Sequence, residues 1–192
     1  MRLRGLYAIT PESFDLKNVE QALKGGAVML QYRRKEHDAA HAREVVALAR
    51  RHGVPVIVND SVELALEVDA AGAHLGRDDG DLATARKRLG PRILGASCYN
   101  DPSLAQAAVQ AGADYVAFGS VFPSPTKPAA VRAPLSLFSQ RLGVPLAAIG
   151  GITLENAAQV IAAGADLLAV ITDLFEAPDI ARRAAQYQEL FA

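Results

Sequence analysis

Residues 111–120, AGADYVAFGS, and residues 163–172, AGADLLAVIT, share one pattern: a small-residue turn, a short unbroken apolar run, then a polar residue. It recurs as GGAVMLQYR at 25–33 and AGAHLG at 71–76, which marks a repeat of supersecondary units. Apolar runs this continuous suit strands buried on both faces, because a half-exposed strand alternates with period two. Between the runs, 37–53 (HDAAHAREVVALARRHG), 101–112 (DPSLAQAAVQAG) and 154–164 (LENAAQVIAAG) have apolar residues at helical spacing. Each ends on glycine, the residue favoured just past a helix C-terminus. Strands are expected at 3–9, 27–32, 54–58, 73–75, 92–96, 114–118, 145–149 and 166–171, each followed by a helix-like segment. Eight units of ~24 residues predict an α/β fold, a single-domain (β/α)8 TIM barrel over residues 1–192. An open doubly wound sheet is the alternative, but no G-x-G-x-x-G follows the first strand.

The composition fits one globular domain: 51% hydrophobic residues, 20 basic against 21 acidic, and a formal net charge of -1. A single cysteine, Cys98, excludes a disulfide scaffold and suits a reducing compartment. The start, MRLRGLYAIT, lacks a long apolar run and a small-residue cleavage site, so a cytoplasmic location is expected. No stretch is long and apolar enough to predict a membrane span. The balanced charge argues against nucleic acid as a partner. Small molecules are the expected partners, and a homo-oligomer stays open.

In a barrel of this type the chemistry gathers where strands end. Those positions are polar here: Gln31, Arg33 and Lys35; Asn59 and Asp60; Arg77, Asp78 and Asp79; Ser97; Ser124, Thr126 and Lys127; Gly150 and Gly151; Thr172. Arg33, Lys35 and Lys127 together suit a polyanion, and Asp60 with Asp78 or Asp79 suits a hard divalent cation. Mg²⁺ needs only one or two protein carboxylates, since water and phosphate oxygens complete its shell. The competing reading is an Asp–Arg network that only stabilises the rim. The pair in AIGGIT (148–153), with Thr172, marks the corner where such barrels hold phosphate, although paired glycines also serve tight turns. Four of the ten prolines fall in 120–134, SVFPSPTKPAAVRAP, so the loop after the sixth strand is long, irregular and either functional or a surface excursion. HDAAH at 37–41 has two histidines one helical turn apart but lacks the Glu of a zinc protease. His74 reads as a packed or rim histidine and Cys98 as an inert buried thiol. No nucleophile and base pair stands out.

Eight motifs, LYAIT, QYRRK, VIVND, AHLGRDD, GASCYN, DYVAFGSVFPSPTK, AAIGGIT and DLLAVIT, stand in this order along the chain. Together they resemble the thiamine-phosphate synthase (thiamine-phosphate pyrophosphorylase) family over essentially the whole length. The resemblance implies a transferase that joins a pyrimidine-methyl pyrophosphate to a thiazole phosphate, plain or carboxylated, with Mg²⁺ as cofactor. It assigns Gln31, Tyr32, Arg33, Arg34, Lys35, Asn59, Ser97 and Lys127 to the pyrimidine and its pyrophosphate. Ser124, Pro125, Thr126, Gly151, Ile171 and Thr172 go to the thiazole phosphate side, and Asp60 and Asp79 to the metal. Arg33, Lys35, Ser97 and Lys127 are the catalytic set it implies. Departures from the family pattern are Arg77 for a usual Gln, Gly119-Ser120 for Gly-Pro, Ser124 for Thr and Thr172 for Ser. An Arg77 salt bridge could divert Asp78 or Asp79 from a metal. The beginning also enters the first strand almost at once, so an N-terminal packing helix of relatives is expected to be missing.

Three rivals remain. A thiazole tautomerase would carry a histidine where Tyr99 stands; a non-catalytic sensor would have lost Arg33, Lys35, Asp60 or Lys127; and a sugar-phosphate isomerase or epimerase would need a proton-shuttling Glu or His pair.

Overall fold

The computed structural model of the chain describes residues 3–36, 38–123 and 131–192. Eight strands, Gly5–Ile9 (β1), Met29–Tyr32 (β2), Val56–Asn59 (β3), Gly72–Leu75 (β4), Ile93–Tyr99 (β5), Tyr115–Gly119 (β6), Leu146–Ile149 (β7) and Leu167–Val170 (β8), pair in parallel in chain order. β8 returns to β1 and closes the barrel. All eight expected strands form, with every end within three residues of its expected position. The fifth runs on to Tyr99 through a register shift against β6 between Ser97 and Tyr99.

Eight α-helices are described: Leu16–Lys24 (α1), Ala39–Arg51 (α2), Val62–Glu67 (α3), Leu82–Leu89 (α4), Pro102–Gln110 (α5), Leu154–Ala162 (α6), Thr172–Phe175 (α7) and Ile180–Glu189 (α8). Their starts are set locally. Asp38, Ser61, Asp81, Asp101 and Asp179 accept backbone N–H bonds at the first turns of α2, α3, α4, α5 and α8, each cap being worth about 1 kcal/mol. Thr153 and Asn156 form a reciprocal capping box on α6. The expected helix after β6 is replaced, among the described residues, by a short 3₁₀ turn at Leu135–Ser139.

Strand alternation sorts the core into two layers. Leu6, Leu30, Val58, Val116 and Leu168 face the helices, while Tyr7, Met29, Ile57, Ala147 and Leu167 fill the barrel. Burying each large aliphatic side chain stabilises the fold by about 1.5–3 kcal/mol. Gly95 makes room for an aromatic ring in the interior, since a Cβ there would lie 2.2 Å from Cζ of Tyr115. Among the described residues no helix is long and apolar enough to cross a membrane.

Candidate active site at the C-terminal mouth

The β1 and β2 ends are locked together by side chains. Thr10 is buried, its Oγ1 accepts the backbone N–H of Arg33 at 2.9 Å, and Glu12 accepts that of Lys35 at 2.9 Å. These contacts fix the backbone that carries two cations on the rim. Among the described residues neither cationic head has an ion-pair partner. Gln31 points into the barrel and is 3% exposed.

On the adjacent strands, Asn59 closes β3 in register with His74 of β4. Asp60 follows in the left-handed region, φ 63, with its N–H donating to the His74 carbonyl at 2.8 Å. Asp79 folds back so that its Oδ2 accepts the Gly76 N–H at 2.7 Å. Both carboxylates therefore follow neighbouring strands. Among the described residues Arg77 forms no ion pair with Asp78 or Asp79: its guanidinium lies 4.9 Å from the Tyr99 ring centroid, and its backbone N–H donates to the Tyr99 hydroxyl at 3.2 Å. Among the described residues no group of three or more His, Cys, Asp or Glu forms a metal cluster, and a hard cation relying on water and phosphate oxygens does not need one.

Under this rim a buried polar chain crosses the barrel. Gln31 Nε2 donates to the Tyr7 hydroxyl at 2.7 Å, Tyr7 meets the Tyr115 hydroxyl at 2.8 Å, Tyr115 meets His74 Nδ1 at 2.9 Å, and His74 Nε2 meets Ser97 Oγ at 2.8 Å. Burial pushes the His74 imidazole down from 6.5 to about 4, with Asp79 opposing, so it is neutral at pH 7. Burial also drives both tyrosines up. Sequence reading found the ends of this chain, Gln31 and Ser97, and took His74 as a packed or rim histidine, but missed Tyr7 and Tyr115. A signal was available, because barrel interiors are mostly branched aliphatics and Tyr7, His74 and Tyr115 occupy inward positions.

Two further expected binding residues have partners on the helix side or in the β2–α2 connection. Tyr32 faces the helices, packing edge-on to Phe14 with ring centroids 6.3 Å apart, and Arg34 bonds Asp38 and His41. They shape the β2–α2 connection rather than the barrel interior. His41 packs on Phe14 with ring centroids 5.0 Å apart, while His37 lies outside the described residues. Ser124, Pro125, Thr126 and Lys127 also lie outside them.

The base of their loop is described. Arg132, which sequence reading missed, bonds Ser120 Oγ and the Phe122 carbonyl, and the Ala133 N–H donates to the Ser120 carbonyl at 2.9 Å. The paired glycines after β7 receive this loop base at φ 102 and φ 64. A Cβ on Gly150 would lie 2.3 Å from Ser120 Oγ, and one on Gly151 2.3 Å from the Pro123 carbonyl. Close packing thus requires both glycines. Ile171 is the N-cap of α7 and Thr172, exposed, its first residue, bringing both beside the same corner.

Cys98 is 1% exposed and points away from the mouth into the helix-facing core. Burial raises its thiol from 9.0 to about 12, which lowers its thiolate fraction near neutral pH by about 10³. A thiol reagent such as DTNB should leave Cys98 unmodified in the native protein and label it stoichiometrically in denaturant. Rapid native labelling would contradict this burial.

A hollow of about 700 Å³ opens at the opposite end of the barrel, beside Leu3, Pro55, Ala71 and Ile93. Its charged groups are already paired, with Asp69 held by Arg50 and Arg92, and that end of such barrels serves stability.

A closed parallel barrel with cations, carboxylates and a polar floor at its C-terminal mouth has the architecture of a (β/α)8 enzyme. The family model for thiamine monophosphate synthase matches residues 6–174. A thiamine-phosphate synthase of Aromatoleum aromaticum is 63% identical, the match covering 99% of this chain and 97% of the relative. One of Methylobacillus flagellatus is 52% identical over 98% and 96%. Thiamine phosphate pyrophosphorylase from Pyrococcus furiosus superposes with a TM-score of 0.87 at 31% identity, covering 98% of this chain and 96% of that one. The chain belongs to the thiamine monophosphate synthase family and is a transferase.

Proposed function

We propose that the mouth binds 4-amino-2-methyl-5-(diphosphooxymethyl)pyrimidine together with a thiazole phosphate and joins them, giving thiamine phosphate and pyrophosphate. The observation that carries this reading is the grouping of Arg33 and Lys35 with Asp60 and Asp79 on successive strand ends, above a floor formed by Gln31 and Ser97. Gln31, Asn59 and Ser97 orient the pyrimidine ring. The C–O bond to pyrophosphate breaks with its electron pair leaving on oxygen, and the thiazole nitrogen lone pair forms the new C–N bond. No proton is removed in that exchange, so it needs no general base. Arg33 and Lys35 act where negative charge develops on the leaving group, and the resemblance adds Lys127, outside the described residues, to the same role. Asp60 and Asp79 fit Mg²⁺, two carboxylates being a usual protein share, and the ion would neutralise charge on pyrophosphate oxygens. Gly151, Ile171 and Thr172, with Ser124, Pro125 and Thr126, take the thiazole phosphate.

A tautomerase reading gains nothing from position 99, where Tyr99 is engaged by Arg77. The test is pyrophosphate release by the purified protein with both substrates and Mg²⁺, against a control without thiazole phosphate. Release that requires all three, with thiamine phosphate formed in equal amount, is expected. Thiazole phosphate binding without any pyrophosphate release would overturn the proposal.

A further inference from the structure

The buried chain under the mouth takes its direction from one end, the Gln31 amide, whose Nε2 faces the Tyr7 hydroxyl. An amide N–H only donates, and Gln31 gives one to the Tyr7 hydroxyl. Tyr7 is 1% exposed, so its single proton needs a partner, and the Tyr115 oxygen 2.8 Å away is the acceptor at hand. Were Tyr115 to donate to Tyr7 instead, the Tyr7 proton would be buried without an acceptor. Tyr115 therefore gives its own proton to His74 Nδ1. The imidazole then carries its hydrogen on Nε2 and donates it to Ser97 Oγ. Ser97 receives a bond from below, and its hydroxyl proton is left to point into the mouth. At the other end, Gln31 has spent an N–H downward and presents its amide oxygen, which has no protein partner among the described residues.

We infer that Tyr7, Tyr115 and His74 are positioning residues that set Gln31 as an acceptor and Ser97 as a donor, and so make the mouth select an amino-substituted ring over its oxo counterpart. A 4-aminopyrimidine offers an N–H for Gln31 and a ring-nitrogen lone pair for Ser97. A 4-oxopyrimidine carries an acceptor in place of the amino donor, so its oxygen would face the Gln31 oxygen. A site whose buried polar groups are left unpaired by a near-isostere rejects it by orders of magnitude more than a missing methylene would. The chain spans β1, β2, β4, β5 and β6, so reversing any one bond requires reversing all of them. This inference rests on the mouth taking a pyrimidine, as proposed above.

Two measurements test it. The first reads the order of the chain without substrate: nitrogen NMR of the histidine-labelled protein, with the His74 signal identified by its loss in His74→Gln. The Nε2–H tautomer is expected, and an Nδ1–H tautomer would overturn the inference. The second compares binding of the phosphate monoesters of the 4-amino and 4-oxo pyrimidines by calorimetry. The native protein should prefer the amino compound on the order of 10²-fold, and Tyr115→Phe should cut that preference about tenfold while leaving thiazole phosphate affinity unchanged. Tyr7→Phe interrupts the same chain one link earlier and should give the same loss, which guards against misfolding of either variant. An unchanged preference in a folded variant overturns the inference alone. Failure of the native protein to bind either pyrimidine overturns the functional reading and the selectivity with it.

Discussion

Asp60→Asn should lower the rate of pyrophosphate release on the order of 10²–10³-fold and remove its response to Mg²⁺. The substitution is chosen for its backbone. Asp60 sits at φ 63 with its N–H bonded to the His74 carbonyl, a conformation that costs most side chains roughly 1–2 kcal/mol but that asparagine tolerates. Charge is thus removed while the left-handed backbone at position 60 stays accessible. Asp79 is a poorer choice, because its Oδ2 also accepts the Gly76 N–H at 2.7 Å and its loss would loosen the β4–α4 turn. The measurement is the Mg²⁺ dependence of pyrophosphate release in native and variant protein of equal thermal stability. An Asp60→Asn protein that kept its rate in excess chelator would remove the carboxylate from any metal role.

Gly95→Ala should lower the melting temperature by roughly 6–12 °C. The added Cβ would lie 2.2 Å from Cζ, 2.3 Å from the hydroxyl and 2.5 Å from Cε1 of Tyr115. That ring cannot swing away freely. It is fully buried, edge-on to Tyr7, and its hydroxyl is bonded to both Tyr7 and His74. Overpacking a rigid core costs about 3 kcal/mol at the upper end of the usual range, and for a chain of this size each kcal/mol shifts the transition by about 2–4 °C. Circular dichroism melts of the two proteins would show it. A shift within ~2 °C would mean that the interior ring relocates at little cost, contrary to the packing expected of protein cores.

The parts of the site that were legible in the sequence share a physical reason. A strand buried on both faces reads as an apolar run, so the first polar residue after it marks the mouth, and Arg33, Asn59, Asp60 and Ser97 were found by that rule. The resemblance also named Tyr32 and Arg34, although successive side chains along a strand point to opposite faces. Tyr32 and Arg34 stood in the same motif as Gln31, yet they serve the helix side and the β2–α2 loop. Arg77 was expected to compete for a neighbouring carboxylate, but the ring of Tyr99, brought close by the continuation of β5, takes its guanidinium.

By itself the sequence determined the repeat, the parallel barrel, the order of the strands and the rim residues, because each depends on local periodicity and on turns a few residues long. Tertiary structure alone decided which side chains meet across the interior. Tyr7 and Tyr115 are 108 residues apart, and Gln31 reaches His74 and Ser97 only through them. Such a chain depends on how the closed barrel brings non-neighbouring strands face to face, a property of the ring as a whole that no single segment encodes.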